Sequence, residues 1–403
     1  MDSVSQIVLG AAVGEVVLGK KLGNKAMFWG AVGGTIPDLD IITKPLMTEL
    51  ESLAFHRGIS HSIVFAILGG LLSGWLCYRL YKSAYSRQIL YGILSLFMTS
   101  IPISITYFLF GNDWNPYVVT GVAVVLATIV FLFLLRKISE SDTNINVELA
   151  SLRSWQLMFF LAYLTHALLD TMTMYGTQLF LPFSNYRAAI GSISVADPFG
   201  YTLPFIFCLV MASRKGRLEK GRRVWTWVGI GLSSLYLLFT VYHKSKITKI
   251  FKQQLTENNI TYDRMVVGPT IFNNFLWSMT AEGQDDFYMG QYSIFDTSPI
   301  YFRKIEKRHH LLAGTEEDKT IMTLRWFSNG FYNVLQRKDG LLQINDLRFG
   351  TFRESQGEDD FIFRFLVEQQ AEGHYEMQRS IGGPDEDETT EIFGALWNRI
   401  KGR

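Results

Sequence analysis

The stretch VWTWVGIGLSSLYLLFTVYHKSKITKIFKQQL, Val224 to Leu255, changes character in its middle. Its first 19 residues, to Tyr242, carry no charge, whereas the 13 that follow hold four lysines. An uncharged apolar run of that length suits a helix crossing hydrocarbon. The continuation ITKIFKQQL reads as a short amphipathic helix in water. Residues 1–243 are therefore expected to form a helical membrane domain and residues 244–403 a soluble one. The rest of the chain agrees: long, nearly charge-free runs come before this point and evenly spread charges after it. Composition averages over the two halves, at 48% hydrophobic and 14% aromatic residues, with a mean hydropathy of +0.14.

Working outward, further spanning candidates are 63–80, 89–110, 117–135, 155–172 and 199–212, with two shorter Gly-rich pieces at 7–18 and 26–36. The glycines and alanines of those two pieces suit close helix packing, so they are expected as a tightly packed or re-entrant pair. The fold class is a membrane α-helical bundle of about 6–8 segments, followed by a small α+β domain, mainly an antiparallel sheet. In that domain RMVVGPT, FLWSMTAE, FYMGQYSIF, FYNVLQRK, LLQINDLRF and FIFRFLVEQ alternate as strands do, with helical pattern around 320–327. The acidic IGGPDEDETTE is expected to be loose before a final short amphipathic helix.

The loop SRKGRLEKGRR, Ser213 to Arg223, is strongly basic and so is expected on the cytoplasmic side. Alternation from it places Arg79, Lys82, Arg87, Arg136, Lys137, Arg153 and Lys20, Lys21, Lys25 on that side too. Residues 37–61, the GNDWNP turn, residues 172–198 and the soluble domain then face outside. The N-terminus carries an acid where a signal peptide would carry lysines, so it is expected to be retained. A net charge of +1 offers no basic footprint for nucleic acid. Cys77 and Cys208 fall inside apolar runs and read as core thiols.

Three clusters could do chemistry. In THALLD, His166 and Asp170 are four apart, hence on one helical face, within an apolar run where an ionisable pair is costly. In HRGISHS, His56, Arg57, Ser60 and His61 sit at the mouth of an apolar segment; the histidines, five apart, do not share a helical face. In TIPDLD, Asp38 and Asp40 follow another apolar piece. Each has an ordinary alternative: a buried His–Asp hydrogen bond, a solvated loop histidine, a helix cap. All three, however, are assigned to the same outer level. Three His and three Asp gathered there suit zinc or another divalent ion, which would acidify bound water and polarise a carbonyl or phosphoryl oxygen. Arg57 and Arg187, the latter in LPFSNYR, could bind phosphate or carboxylate oxygens; Arg187 could equally anchor at lipid headgroups. No H-E-x-x-H occurs, so a zincin-type protease is not supported.

PDLD, HRGISHS and THALLDTMTMYGTQLFLPFSNYR, in that order among apolar segments, resemble the YdjM/YbcI-type membrane-bound metal-dependent hydrolases over roughly residues 1–211. The resemblance implies a bacterial inner-membrane, multi-pass protein, distantly similar to zinc-dependent phospholipase C. It also implies Asp38, Asp40, His56, His61, His166 and Asp170 as ligands for one to three ions, with phosphodiester hydrolysis as the chemistry. Where many members carry a histidine, this chain has Gln6: either fewer metals bind or its amide oxygen contributes. Glu15 would lie nine residues deeper, roughly 13 Å along a helix, and is a poor substitute. The expected enzyme cleaves a phosphodiester or related ester of a lipid or envelope molecule, with Arg57 or Arg187 stabilising charge and Asp38 or Asp40 available as general base. The competing expectation is a non-catalytic, metal-stabilised scaffold or sensor whose soluble domain binds a partner.

Overall fold

The computed structural model describes residues 1–82, 150–351, 361–370, 374–382 and 389–402. The expected segments 89–110 and 117–135, the turn between them, Arg87, Arg136, Lys137 and residues 383–388 of the acidic stretch lie outside the described residues. Two compact units divide the chain, Leu71–Leu157 and the remainder.

Helices α1 (Ser3–Leu22) and α2 (Asn24–Thr35) form an antiparallel pair turned at Gly23. Asp2 caps α1 through the N–H of Ser5. The pair packs backbone to backbone: a Cβ on Gly10 would overlap the carbonyl oxygen of Gly30, and one on Gly34 that of Gln6. Only glycine permits that approach, and the expected tight pair is found. A 3-10 turn (Ile36–Leu46) and α3 (Glu49–Phe55), started by a Thr48–Glu51 capping box, lead to α4 (Ile63–Lys82). Then come α5 (Leu152–Thr171), α6 (Leu203–Ser213) and α7 (Lys220–Glu257). Among the described residues, α1, α4 and α7 are long and apolar enough to cross a membrane. Within the smaller unit, the Tyr81 ring packs on Trp155, with centroids 5.2 Å apart.

The membrane part of α7 is inverted relative to a water-soluble helix. Gly229, Ser233 and Thr240 are buried, whereas Val224, Trp227, Leu232, Leu235, Leu238 and Tyr242 are exposed. Small residues inward and large apolar residues outward suit a lipid surround. The helix does not stop at Tyr242. ITKIFKQQL is its last third, and Ile247, Phe251 and Leu255, spaced four apart, are buried against sheet residues Val267, Trp277, Met279 and Ala281.

The soluble domain holds two four-stranded antiparallel sheets, in orders β1-β2-β3-β4 and β5-β6-β7-β8, where the sequence suggested one. The first contains β1 (Arg264–Pro269), β2 (Leu276–Glu282), β3 (Asp286–Ser293) and β4 (Phe302–Glu306). The second contains β5 (Tyr332–Gln336), β6 (Leu342–Thr351), β7 (Phe361–Gln369) and β8 (Tyr375–Gly382). Helix α8 (Lys319–Phe327), capped by Asp318, lies between the two sets in the chain, and α9 (Thr389–Ile400) closes it. The alternation of β2 explains the layering: Trp277, Met279 and Ala281 face α7, while Thr280 turns the other way and donates to the carbonyl of Leu347 in the second sheet. Phe287, Met289 and Ile305 meet Phe331, Leu347 and Phe361 between the sheets. Leu50 of α3 joins α8 and the second sheet in another core, tying the soluble domain to the loops that carry the site.

Candidate metal centre

His166 and Asp170 occupy the last turns of α5, one turn apart, as their spacing requires. The 3-10 turn after α2 supplies Asp38 and Asp40, and a second, short 3-10 turn (Ile59–His61) before α4 supplies His61. Four of the expected ligands converge. One ligand atom from each of Asp38, His61, His166 and Asp170 lies within 4.8 Å of all the others. Asp38 Oδ1 is 3.4 Å from both imidazole Nε2 atoms, and Asp170 Oδ2 is 3.3 Å from that of His61.

The hydrogen bonds around the cluster settle which nitrogens face inward. His166 Nδ1 is 2.7 Å from the carbonyl oxygen of Gly34, which only accepts, so Nδ1 carries the proton and Nε2 a lone pair. Asp40 Oδ2 accepts from the hydroxyl of Ser60 at 3.4 Å, and that oxygen lies 2.9 Å from His61 Nδ1. The Nε2 of His61 faces the cluster as well, and the two Nε2 atoms lie 3.1 Å apart beside two carboxylates. Asp170 Oδ1 accepts from Gln6 Nε2 at 3.0 Å and from the α-amino group of Met1, while buried Oδ2 has no hydrogen-bond partner. Two imidazole nitrogens and two carboxylates concentrated in this way fit a cation, and a His2Asp2 donor set fits a divalent one.

Asp40 and His56 stand behind this cluster. Their side chains pair at 3.1 Å, and Asp40 also accepts from the backbone N–H of Arg57. Asp40 therefore orients His61 through Ser60, the kind of support that fixes a ligand's tautomer. Burial pushes the carboxyl of Asp40 up, but the hydrogen bond and charge of His56, the charge of His61 and the backbone N–H of Arg57 together hold the group below its ordinary range.

Arg57 has left-handed backbone, φ 57°, which turns its buried side chain back over the cluster. Nη1 donates to Thr173 Oγ1 at 2.9 Å, and Nε, without a hydrogen-bond partner, is 3.4 Å from Asp170 Oδ2. Arg187 is placed differently. It donates to the carbonyls of Tyr175 and Gly176 and stacks on Tyr175, Trp326 and Phe327 at 4.7–5.4 Å. Burial brings its pKa down to about 10. It fastens the 172–198 loop to α8. Gln6 reaches the site through its amide nitrogen, and its oxygen has no partner. Glu15 is at the other end of α1, paired with Arg222 at 2.6 Å. The sequence reading missed Thr173, Tyr175 and the Gly34 carbonyl. None has a motif of its own, and a backbone acceptor leaves no trace in residue type.

Apolar helices that bring two histidines and two aspartates together below a two-sheet domain define a helical membrane protein with a candidate metal centre. The chain belongs to the YdjM inner membrane protein family, whose family model matches residues 1–111 and 118–247. No curated protein and no solved structure matches it.

Proposed function

We propose that the protein is a membrane-bound, metal-dependent hydrolase acting on a phosphodiester or related ester of a lipid or envelope molecule, with its site on the extracytoplasmic side of the inner membrane. One observation supports this above the rest: the buried guanidinium of Arg57 stands at the edge of the cluster, its Nε 3.4 Å from Asp170 Oδ2 in an ion pair without a hydrogen bond. A purely structural centre gains nothing from a guanidinium beside its ligands, whereas an anionic guest would use it.

Asp38, His61, His166 and Asp170 would hold the ion, with zinc the best match to the donors. When bound, it would supply an activated water at neutral pH and polarise the scissile phosphoryl or carbonyl oxygen. The remaining work belongs to the chain. Arg57 binds an oxygen of the reacting group and offsets charge as it develops. Asp40, through Ser60, keeps the imidazole of His61 turned inward. Asp38, the one partly exposed member of the four, can accept a proton from the solvent side. Arg187 holds the loop against which the substrate rests.

Four protein donors also suit a closed structural ion, and this count favours a second reading, a metal-stabilised scaffold. Turnover of a chromogenic phosphodiester and of short-chain phosphatidylcholine by detergent-purified protein separates the two. The hydrolase reading expects turnover that is abolished in His166→Ala and reduced 10²–10³-fold in Arg57→Ala, on the order of losing one charge-stabilising donor. Fully metal-loaded protein that cleaves neither compound, and whose melting point collapses on chelation, would hand the site to the scaffold reading.

A further inference from the structure

Away from the metal centre, the soluble domain exposes a cluster of large aromatic side chains close to the point where α7 leaves its apolar region. His243, one residue beyond Tyr242, donates from Nδ1 to Asn274 Oδ1 in the β1–β2 turn at 2.8 Å, and its ring stacks on Phe239. Asn274 also donates to the carbonyl of Ser192, and the N–H of Phe272 donates to Ser194. Two segments thus fix this turn: the end of the apolar run of α7 and the loop that leads into the apolar Pro198–Ser213 helix.

The turn exposes Ile271, Phe272 and Phe275 instead of the polar residues that a soluble hairpin presents. Phe275 lies 5.9 Å from the ring of Phe295, and Phe272 stacks on Phe393 of α9 at 5.8 Å. Helix α9 is held there by the paired contact of Arg399 with Asp296. Ile392 faces in, whereas Phe393 and Trp397, one turn apart, face out at 43% and 61% exposure. Lys401, one turn further, places its ammonium 5.5 Å over the Trp397 ring.

We propose that this edge of the soluble domain, the β1–β2 turn together with α9, is a second membrane contact that sits in the headgroup region beside α7. The occupant is the bilayer because the turn is fastened to the end of the apolar run of α7: buried His243, next to exposed Tyr242 and stacked on exposed Phe239, bonds buried Asn274 and so seats the exposed turn residues beside that end. A stripe of Phe, Trp and Lys on one helical face is the composition of interfacial helices, with rings at the hydrocarbon boundary and the cation among phosphates. A patch of this kind left in water would be a site of association.

The test uses the full chain in phosphatidylethanolamine/phosphatidylglycerol liposomes, with Cys77→Ala and Cys208→Ala to clear native thiols. A bimane is attached at position 397 (Trp397→Cys), at 275 (Phe275→Cys), or at the exposed 339 (Asp339→Cys) as control. Lipids bearing a nitroxide near the headgroup should quench positions 397 and 275 severalfold more than 339. Equal quenching at all three overturns the proposal. So does a blue-shifted but unquenched label at 397, since that means a second copy of the chain covers the patch.

Discussion

The Nε2 atoms of His61 and His166 face each other across 3.1 Å, with His166 Nδ1 donating to the Gly34 carbonyl. Two imidazole lone pairs at that distance repel unless a cation stands with them. The carboxylates of Asp38 and Asp170 at 3.3–3.6 Å add negative charge to the same place. A divalent ion satisfies all four, whereas a shared proton satisfies only the pair.

Elemental analysis of detergent-purified protein should therefore find a divalent ion in stoichiometric amount. The double variant His166→Ala/Asp170→Ala should contain none while remaining helical by circular dichroism. Wild-type protein free of metal would mean that the histidines share a proton.

Asp40→Asn should weaken metal binding by about 10–100-fold, the usual cost of removing a group that orients a ligand. Competition with a chromogenic chelator measures it. The amide cannot take the Ser60 proton with a full negative charge, so His61 loses its fixed tautomer. A Kd unchanged within twofold would show that His61 needs no such support.

The pairing of these motifs was only partly legible in the residues. THALLD announces its geometry because helical spacing fixes it. HRGISH does not, because the left-handed Arg57 and the 3-10 turn after it decide that His61 points into the cluster with Asp38, His166 and Asp170 and His56 at Asp40. Nor could TIPDLD say which aspartate would be a ligand, since a 3-10 turn re-aims residues that a strand or helix would place predictably. Strand β4 was missed because FRKIE is an edge strand with charged residues in place of alternation, and β8 was missed for its similar YEMQRS. Alternation finds strands, but it does not tell how many sheets they form.

Glu15 and Arg222 offer a thermodynamic test in the bundle. The pair is buried, and Arg222 also donates to Asn24 and the carbonyl of Lys215. Glu15→Gln should cost about 3–5 kcal/mol, because it strands a buried guanidinium. Glu15→Leu/Arg222→Met should recover most of that. Thermal unfolding in detergent gives both values, and a loss in the double variant equal to that in the single one would refute the argument.

Glu282 predicts a pH dependence in the soluble domain. Burial raises its carboxyl, but Arg264 and Lys307 hold it below the model-peptide value of 4.5. A depressed carboxylate contributes stability that is fully present above that value and is lost as pH falls through the lower, folded one. The melting-point gap between wild type and Glu282→Gln should therefore be constant from pH 7 to about 5 and close below 4. A gap that persists at pH 3 would assign the effect to packing.

Helix α7 runs unbroken for 38 residues, from the basic loop into the first sheet. Each residue of an α-helix advances it by about 100°, so the angular phase of the lipid-facing stripe fixes the direction in which Ile247, Phe251 and Leu255 present themselves to the sheet. One residue inserted after Tyr242 would swing the domain about a quarter turn around the helix axis. Seven inserted residues, nearly two full turns, would bring it back almost in phase but raise it by about 10 Å. Residue count in α7 thus sets a pitch, as on a threaded shaft, that the contacts of Leu50 and Arg187 with the soluble domain must match.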